Sequence, residues 1–180
     1  MLSPPKTYLF LLITVSIVLA SPALPKRQSC NEGTQLICYG KPNGESQKID
    51  PEDLAYVASV VRRHVRRNPT DPPYYHMPPN PNFECEEWSL GAEGTVSVAV
   101  KHTSPRLDTA VLLEDVANTI DGGENATPEQ ISKSLLGCGE NGGQVGVLVN
   151  TSNPLYSSEA YKAKKTTTSG LIVKAYKNTA

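Results

Sequence analysis

Two histidines, three glutamates and an arginine fall within one window of the chain: His76, Glu84, Glu86, Glu87, His102 and Arg106. A general acid, a general base and a cation around one phosphate are what phosphodiester hydrolysis requires. Imidazole and carboxylate groups are suited to those proton transfers near neutral pH. His76, Glu86, His102 and Arg106 therefore form the candidate catalytic set. The same residues have a plainer reading. Glu84, Glu86 and Glu87 alternate with Phe83, Cys85 and Trp88 as the solvated face of a strand would, and His102 continues the face set by Val96, Val98 and Val100. Trp88 is expected to bury its ring and find a partner for its N–H. The chain has no G-x-S-x-G elbow, no H-E-x-x-H pair and no glycine loop opening a helix onto a phosphate. Residues 137–143 are dense in glycine but precede a strand, so they read as a tight turn pinned by Cys138. No cofactor is expected.

Recognition is the second kind of chemistry the residues offer. Pro69, Pro72, Pro73, Pro78, Pro79 and Pro81 deny residues 68–82 a regular hydrogen-bond ladder. The segment is expected to be an extended surface loop displaying Tyr74, Tyr75, His76 and Met77. It serves either as a binding loop or as a lid folded back on the core.

The chain has four cysteines, Cys30, Cys38, Cys85 and Cys138. No C-x-x-C pair and no histidine at ligand spacing accompany them, so no metal site is expected. An even count in an oxidising compartment implies two disulfides, with three pairings open. Asn125-Ala-Thr127 and Asn150-Thr-Ser152 are glycosylation sequons, hence expected surface positions; Pro128 makes the first the poorer acceptor.

The compartment follows from the N-terminus. A basic start through Lys6 leads into the apolar run Thr7–Ala20, about 14 residues long and short of the roughly 20 that span a bilayer. Residues 1–20 read as a cleaved signal peptide ending at Ala20, not as a membrane anchor. Residues 21–27 read as a propeptide whose dibasic Lys26-Arg27 resembles the site cut by kexin-type proteases of fungal secretory pathways. Losing Lys6, Lys26 and Arg27 removes three of the 17 basic groups and none of the 18 acidic ones, shifting the formal charge from −1 to −4. Such a domain is acidic, and nucleic acid is not the expected partner, although Lys162, Lys164, Lys165, Lys174 and Lys177 make the C-terminal stretch locally basic.

The elements that must position these residues form one domain over residues 28–180. A short strand is expected at Thr34–Tyr39, ended by the Pro42-Asn43-Gly44 turn. Asp50 caps a helix with Pro51 in its first turn; Leu54, Val57, Val61 and Val65 form its apolar stripe, and Arg62, Arg63, Arg66 and Arg67 suit its C-terminal end. Phe83–Leu90 and Thr95–His102 make a hairpin around residues 91–94. A second helix starts near Pro105 or Thr109, runs to Asp121 and stops at Gly122-Gly123. Thr127-Pro-Glu-Gln130 is a capping box opening a short helix to Leu136. Gln144–Val149 and Gly170–Tyr176 are the last strands, with a long polar loop between them. The order predicts an α+β fold, an antiparallel sheet with two main helices on one face in a split β-α-β-like arrangement.

The signal, the dibasic cut, the four cysteines and this layout resemble the small secreted cysteine-containing effectors of fungi, including killer-toxin-like and necrosis-inducing-factor-like proteins. The stretch Leu113–Ile120, the glycine-rich turn and Gln144–Val147 carry the resemblance. It implies action outside the producing cell by binding an extracellular protein or glycan of a host, competitor or cell wall. The histidine–carboxylate–arginine inventory is similar to that of small secreted fungal ribonucleases, so a hydrolase is the alternative. A cell-wall or matrix component is the third.

Overall fold

The computed structural model describes residues 30, 32–80, 82 and 85–179. The expected signal peptide, the propeptide with Ala20, Lys26 and Arg27, and the expected strand start at Phe83 and Glu84 lie outside those residues. The first half contains β1 (Ile37–Cys38), α1 (Pro51–Arg67), β2 (Tyr74–Met77), β3 (Glu87–Glu93), β4 (Val96–His102) and β5 (Thr109–Leu112). α2 (Leu113–Asp121), α3 (Pro128–Ser132), β6 (Gly143–Gly146), α4 (Glu159–Lys162) and β7 (Leu171–Lys177) follow. Two short 3-10 stretches lie at Leu135–Asn141 and Pro154–Ser157.

Local chemistry explains the clearest elements. Asp50 Oδ1 accepts from the Glu52 N–H at 2.8 Å, satisfying one of the free donors at the start of α1. Leu54, Val57, Ala58 and Val61 then recur on one face and are buried. Thr127 and Gln130 form the expected capping box, the Thr127 N–H donating to Gln130 Oε1 at 2.8 Å.

The fold is α+β, as the element order predicts. Its main sheet runs β1-β6-β7-β4-β3 and is antiparallel throughout, with β7 inserted between β6 and β4; β2 and β5 form a separate antiparallel pair. Residues directly opposite in such a ladder share a face. Val98 lies opposite Ala175, and Val173 lies opposite both Val100 and Val145. That face is covered by α1 and α2 through Leu54, Val57, Val61, Val116, Ala117 and Ile120, all buried. Each large aliphatic side chain there stabilises the fold by about 1.5–3 kcal/mol relative to exposure. Arg62 joins the two helices from inside. It is 2% exposed and donates to Glu114, Asn118 and both oxygens of Asp121.

Several boundaries differ from the sequence reading. The β3–β4 turn is Gly94-Thr95, two residues later than a turn centred on residues 91–94, and a bulge lies between Ser89 and Gly91. Gly94 has φ +43°, and a Cβ there would run into the Asp53 carboxylate, whose Oδ2 accepts from the Thr95 N–H at 2.7 Å. Residues 109–112 are a strand, not the start of the second helix. All four are at most 1% exposed, and burial on both faces produces an apolar run that has no helical or strand period to read. The proline-rich segment is also not wholly irregular. Tyr74–Met77 is its proline-free run, and it pairs with β5 in full register. The expected strand at residues 34–39 shortens to two residues, and the helix expected to reach Leu136 ends at Ser132 before the 3-10 stretch. The long polar loop contains α4 and the 3-10 turn at residues 154–157.

The disulfides are Cys30–Cys85 and Cys38–Cys138, with Cα separations of 5.7 and 5.2 Å. No helix among the described residues is long and apolar enough to cross a membrane.

Candidate functional site

The candidate catalytic set does not converge on one space. Alternation along β2 turns His76 outward and Met77 inward. His76 Nε2–H donates to Asp108 Oδ1 at 2.7 Å on the surface. His102 is 1% exposed, and its Nε2–H donates to the Met77 carbonyl at 3.1 Å. Burial holds its pKa below the ordinary imidazole value, against the pull of the Met77 carbonyl and of the Asp108 and Glu86 charges. The two histidines are thus neighbours through the β2 backbone but serve opposite sides of it. His102 fills the core edge and is not placed to transfer protons to a solvent-borne substrate. Glu86 accepts from the Trp88 indole N–H at 3.1 Å, and Trp88 stays 37% exposed instead of burying. Arg106 is exposed. Asp108, whose carboxylate holds His76, was not among the residues the sequence singled out.

The expected binding loop is largely committed to the fold. The Tyr74 ring packs on Tyr161 at 5.3 Å between centroids, and its hydroxyl donates to Leu155 O at 3.3 Å. Tyr75 packs against the core, and burial pushes its phenol up to about 12. Of the four residues expected to be displayed there, only His76 faces solvent; Met77 is 1% exposed and belongs to the core. The lid alternative describes this segment better, because pairing with β5 satisfies its backbone. Both sequon asparagines, Asn125 and Asn150, are exposed.

A different constellation appears on the face of the sheet opposite the helices. Lys101 on β4, Lys174 and Tyr176 on β7, Gln144 on β6 and Glu87 on β3 all point to this side by the sheet register. Glu32, from the N-terminal segment, lies across them. Lys101 Nζ meets Glu32 at 2.9 Å, and Lys174 Nζ meets Glu32 at 3.5 Å and Glu87 at 2.8 Å. The result is a ladder of alternating charge, Lys101–Glu32–Lys174–Glu87, in which both lysine side chains are 16% exposed.

Beside this ladder is a hollow of about 490 Å³, within the range of small-ligand sites. Tyr39, Glu45, Gln47, Glu87, Lys174 and Tyr176 form its walls, with Gly44 at the rim. The Tyr39 hydroxyl donates to Gln144 Oε1 at 3.3 Å. Gln47 is held by its own amide, which donates to Glu45 O at 3.0 Å, and by the Lys177 N–H at 3.4 Å. Burial opposes the charge on Lys174, yet Glu87, Tyr39 and Glu32 together keep its pKa above that of an ordinary lysine. The Tyr39 phenol is raised chiefly by burial, with Lys174 opposing, and Tyr176 by burial and then Glu87. At neutral pH the hollow therefore presents two protonated phenols and the ammonium group of Lys174, beside the side chains of Glu45, Gln47 and Glu87.

The staples converge on this region. Glu32 and Glu87 each follow a bonded cysteine by two residues, so Cys30–Cys85 brings both carboxylates to the same lysine. Cys38–Cys138 fixes β1 immediately before Tyr39, whose N–H donates to Gly142 O at 3.0 Å. The loop that carries Glu45 and Gln47 is tied down by Gln47 N–H to Asn141 O at 3.1 Å and Ile49 N–H to Glu140 O at 3.0 Å. No family model, no curated protein and no solved structure matches this chain.

Proposed function

We propose that this chain is a secreted, disulfide-stapled binding protein, effector-like or toxin-like, which holds a host, competitor or cell-wall target on the outer face of its sheet. One observation carries the reading. Two walls of the hollow are tied to disulfides, Tyr39 directly after Cys38 and Glu87 two residues after Cys85, and Glu87 and Lys174 belong to an internally neutralised charge ladder, so these walls are ordered before any ligand arrives. Pre-organisation reduces the entropy lost on binding, and a rigid recognition surface gains most from it. Two disulfides also fit an oxidising, extracellular setting.

The test is capture from host-tissue and cell-wall extracts by the immobilised disulfide-bonded protein, beside a Tyr176→Ala variant. A saturable partner at micromolar concentration that the variant retains poorly supports the role. Failure to capture any saturable partner would overturn it.

One observation favours a small hydrolase, most plausibly a nuclease: the exposed His76–Asp108 pair at 2.7 Å, an oriented imidazole open to solvent. Incubation of RNA with the wild-type and His76→Ala proteins decides that reading. Cleavage that the substitution abolishes would establish it, and intact RNA in both would remove it.

A further inference from the structure

We infer that the ligand of the outer-face hollow is a neutral carbohydrate chain, its rings stacked on Tyr176 and Tyr39 and its hydroxyls bonded to Glu45, Glu87 and Gln47. The inference rests on the binding role proposed above and names the chemistry of its target.

The inventory of groups leads there. The exposed walls are rich in acceptors: the Glu45 and Glu87 carboxylates and two phenol oxygens. The main cation, Lys174, is already engaged by Glu87 and Glu32. A matching ligand must therefore bring hydrogen-bond donors. Anions are disfavoured, because the two carboxylates of the lining, Glu45 and Glu87, outnumber its one lysine, Lys174. Wholly apolar ligands are disfavoured too, since they would strip water from the ladder without replacing its hydrogen bonds. Of the two carboxylates that line the hollow, Glu87 is already paired with Lys174, so an ammonium ligand would find only Glu45. Sugar rings combine what remains: many hydroxyl donors that also accept, no net charge, and C–H faces that pack on aromatic rings. Two tyrosines of the lining supply those rings, Tyr39 from the residue after β1 and Tyr176 from β7, so a chain of several sugar units can meet both.

Calorimetric titration of the disulfide-bonded protein with cellohexaose, laminarihexaose and chitohexaose tests this, with spermine as the cationic comparison. At least one hexaose should bind. Tyr176→Ala should weaken it by at least about tenfold, a difference equivalent to roughly 1.4 kcal/mol. Tyr176→Phe, which keeps the ring and the packing, should weaken it by less than about threefold, as should Glu45→Gln, which keeps an acceptor oxygen; both limits lie below the tenfold step. Absence of binding by all three hexaoses at about 1 mM, the weak end of the affinity scale, overturns the inference. So does binding that Tyr176→Ala leaves intact, or binding by spermine alone that Glu45→Gln abolishes. If the hexaoses fail while capture from extracts still depends on Tyr176, the carbohydrate assignment falls and the binding role stands. If both fail, both fall.

Discussion

Replacing Arg62 by methionine should lower folding stability by about 3 kcal/mol, toward the lower end of the range for removing one partner of a buried ion pair. The guanidinium makes four hydrogen bonds: Nε to Glu114 at 3.0 Å, Nη1 to Asp121 at 2.6 Å, and Nη2 to Asp121 and Asn118 at 2.7 Å. Methionine retains most of the apolar stem, so packing between α1 and α2 changes little. What is lost is the counter-charge of Asp121, whose side chain is only 12% exposed and sits in the last turn of α2, where the helix dipole already disfavours an anion. Glu114 is 46% exposed and can turn to water, so it adds little to the cost. The Gly123 N–H still donates to Asp121 at 2.8 Å and offsets part of the loss, which is why the estimate stays near 3 and not 5 kcal/mol. Lysine at position 62 cannot reproduce the two-pronged contact and should lose about 1–2 kcal/mol. Urea unfolding with the disulfides intact measures both. A loss below about 1 kcal/mol for Arg62→Met would refute the view that this pair is sequestered from solvent.

Three further outcomes are expected. His102 binds its proton less readily folded than unfolded, so its contribution to stability is complete above the unfolded pKa near 6.5 and declines on acidification, by at most about 1.4 kcal/mol per pH unit. Asp115, raised chiefly by burial, acts in the opposite sense, so the histidine's share of the change in denaturant midpoint between pH 8 and pH 5 is the part that a His102→Leu protein loses; an undiminished slope in that protein would exclude it. Tyr156→Phe removes the 2.6 Å donor to buried Asp115 and the acceptor of the Leu112 N–H, and should cost about 2–3 kcal/mol in the same unfolding assay; a change under about 0.5 would show that water replaces the hydroxyl. Replacing Cys38 and Cys138 together by serine opens a loop of 100 residues and should cost up to about 4.7 kcal/mol, read as a lowered thermal midpoint; an unchanged midpoint would mean that the unfolded chain is no freer without the bond.

The sequence announces some elements much better than others, and the difference is physical. α1 is legible because its Asp50 cap, Pro51, apolar stripe and terminal arginines all agree. β4 and β7 are legible because their apolar residues alternate or cluster between turn signals. β5 is not, since Thr109–Leu112 is buried on both faces and carries no period. β2 hides among prolines that flank its four residues without interrupting them. The hollow was harder still to foresee. Glu32 and Lys174 lie 142 positions apart and meet only because β7 enters between β6 and β4. Lys174 reads as one of several solvated lysines, and Lys101 as the polar side of a strand, until that strand order places them beside one another. The clue available in the chain was small: a glutamate two residues after each of Cys30 and Cys85.

The position of the disulfides says what they stabilise. The apolar cluster that joins the helices to the sheet contains no cysteine among the described residues. Burial of that cluster is enough to fix α1 and α2 on β4, β6 and β7. From the N-terminal segment, the two-residue β1 and the loop that follows, it takes in only Leu36 at the cluster's edge and Ile49, and not Glu32, Tyr39, Glu45 or Gln47. Those pieces have few apolar contacts of their own, and a short edge strand held only by β6 would fray. Cys30–Cys85 and Cys38–Cys138 tie down this otherwise loose margin. The ion ladder has the same location: Glu32 neutralises Lys101 and Lys174 on a face that no helix covers. A protein needing only a stable core would gain little from ordering this margin. A protein that must present Tyr39 and Tyr176 at fixed separation to a ligand gains directly, because each wall ordered in advance is entropy not lost on binding.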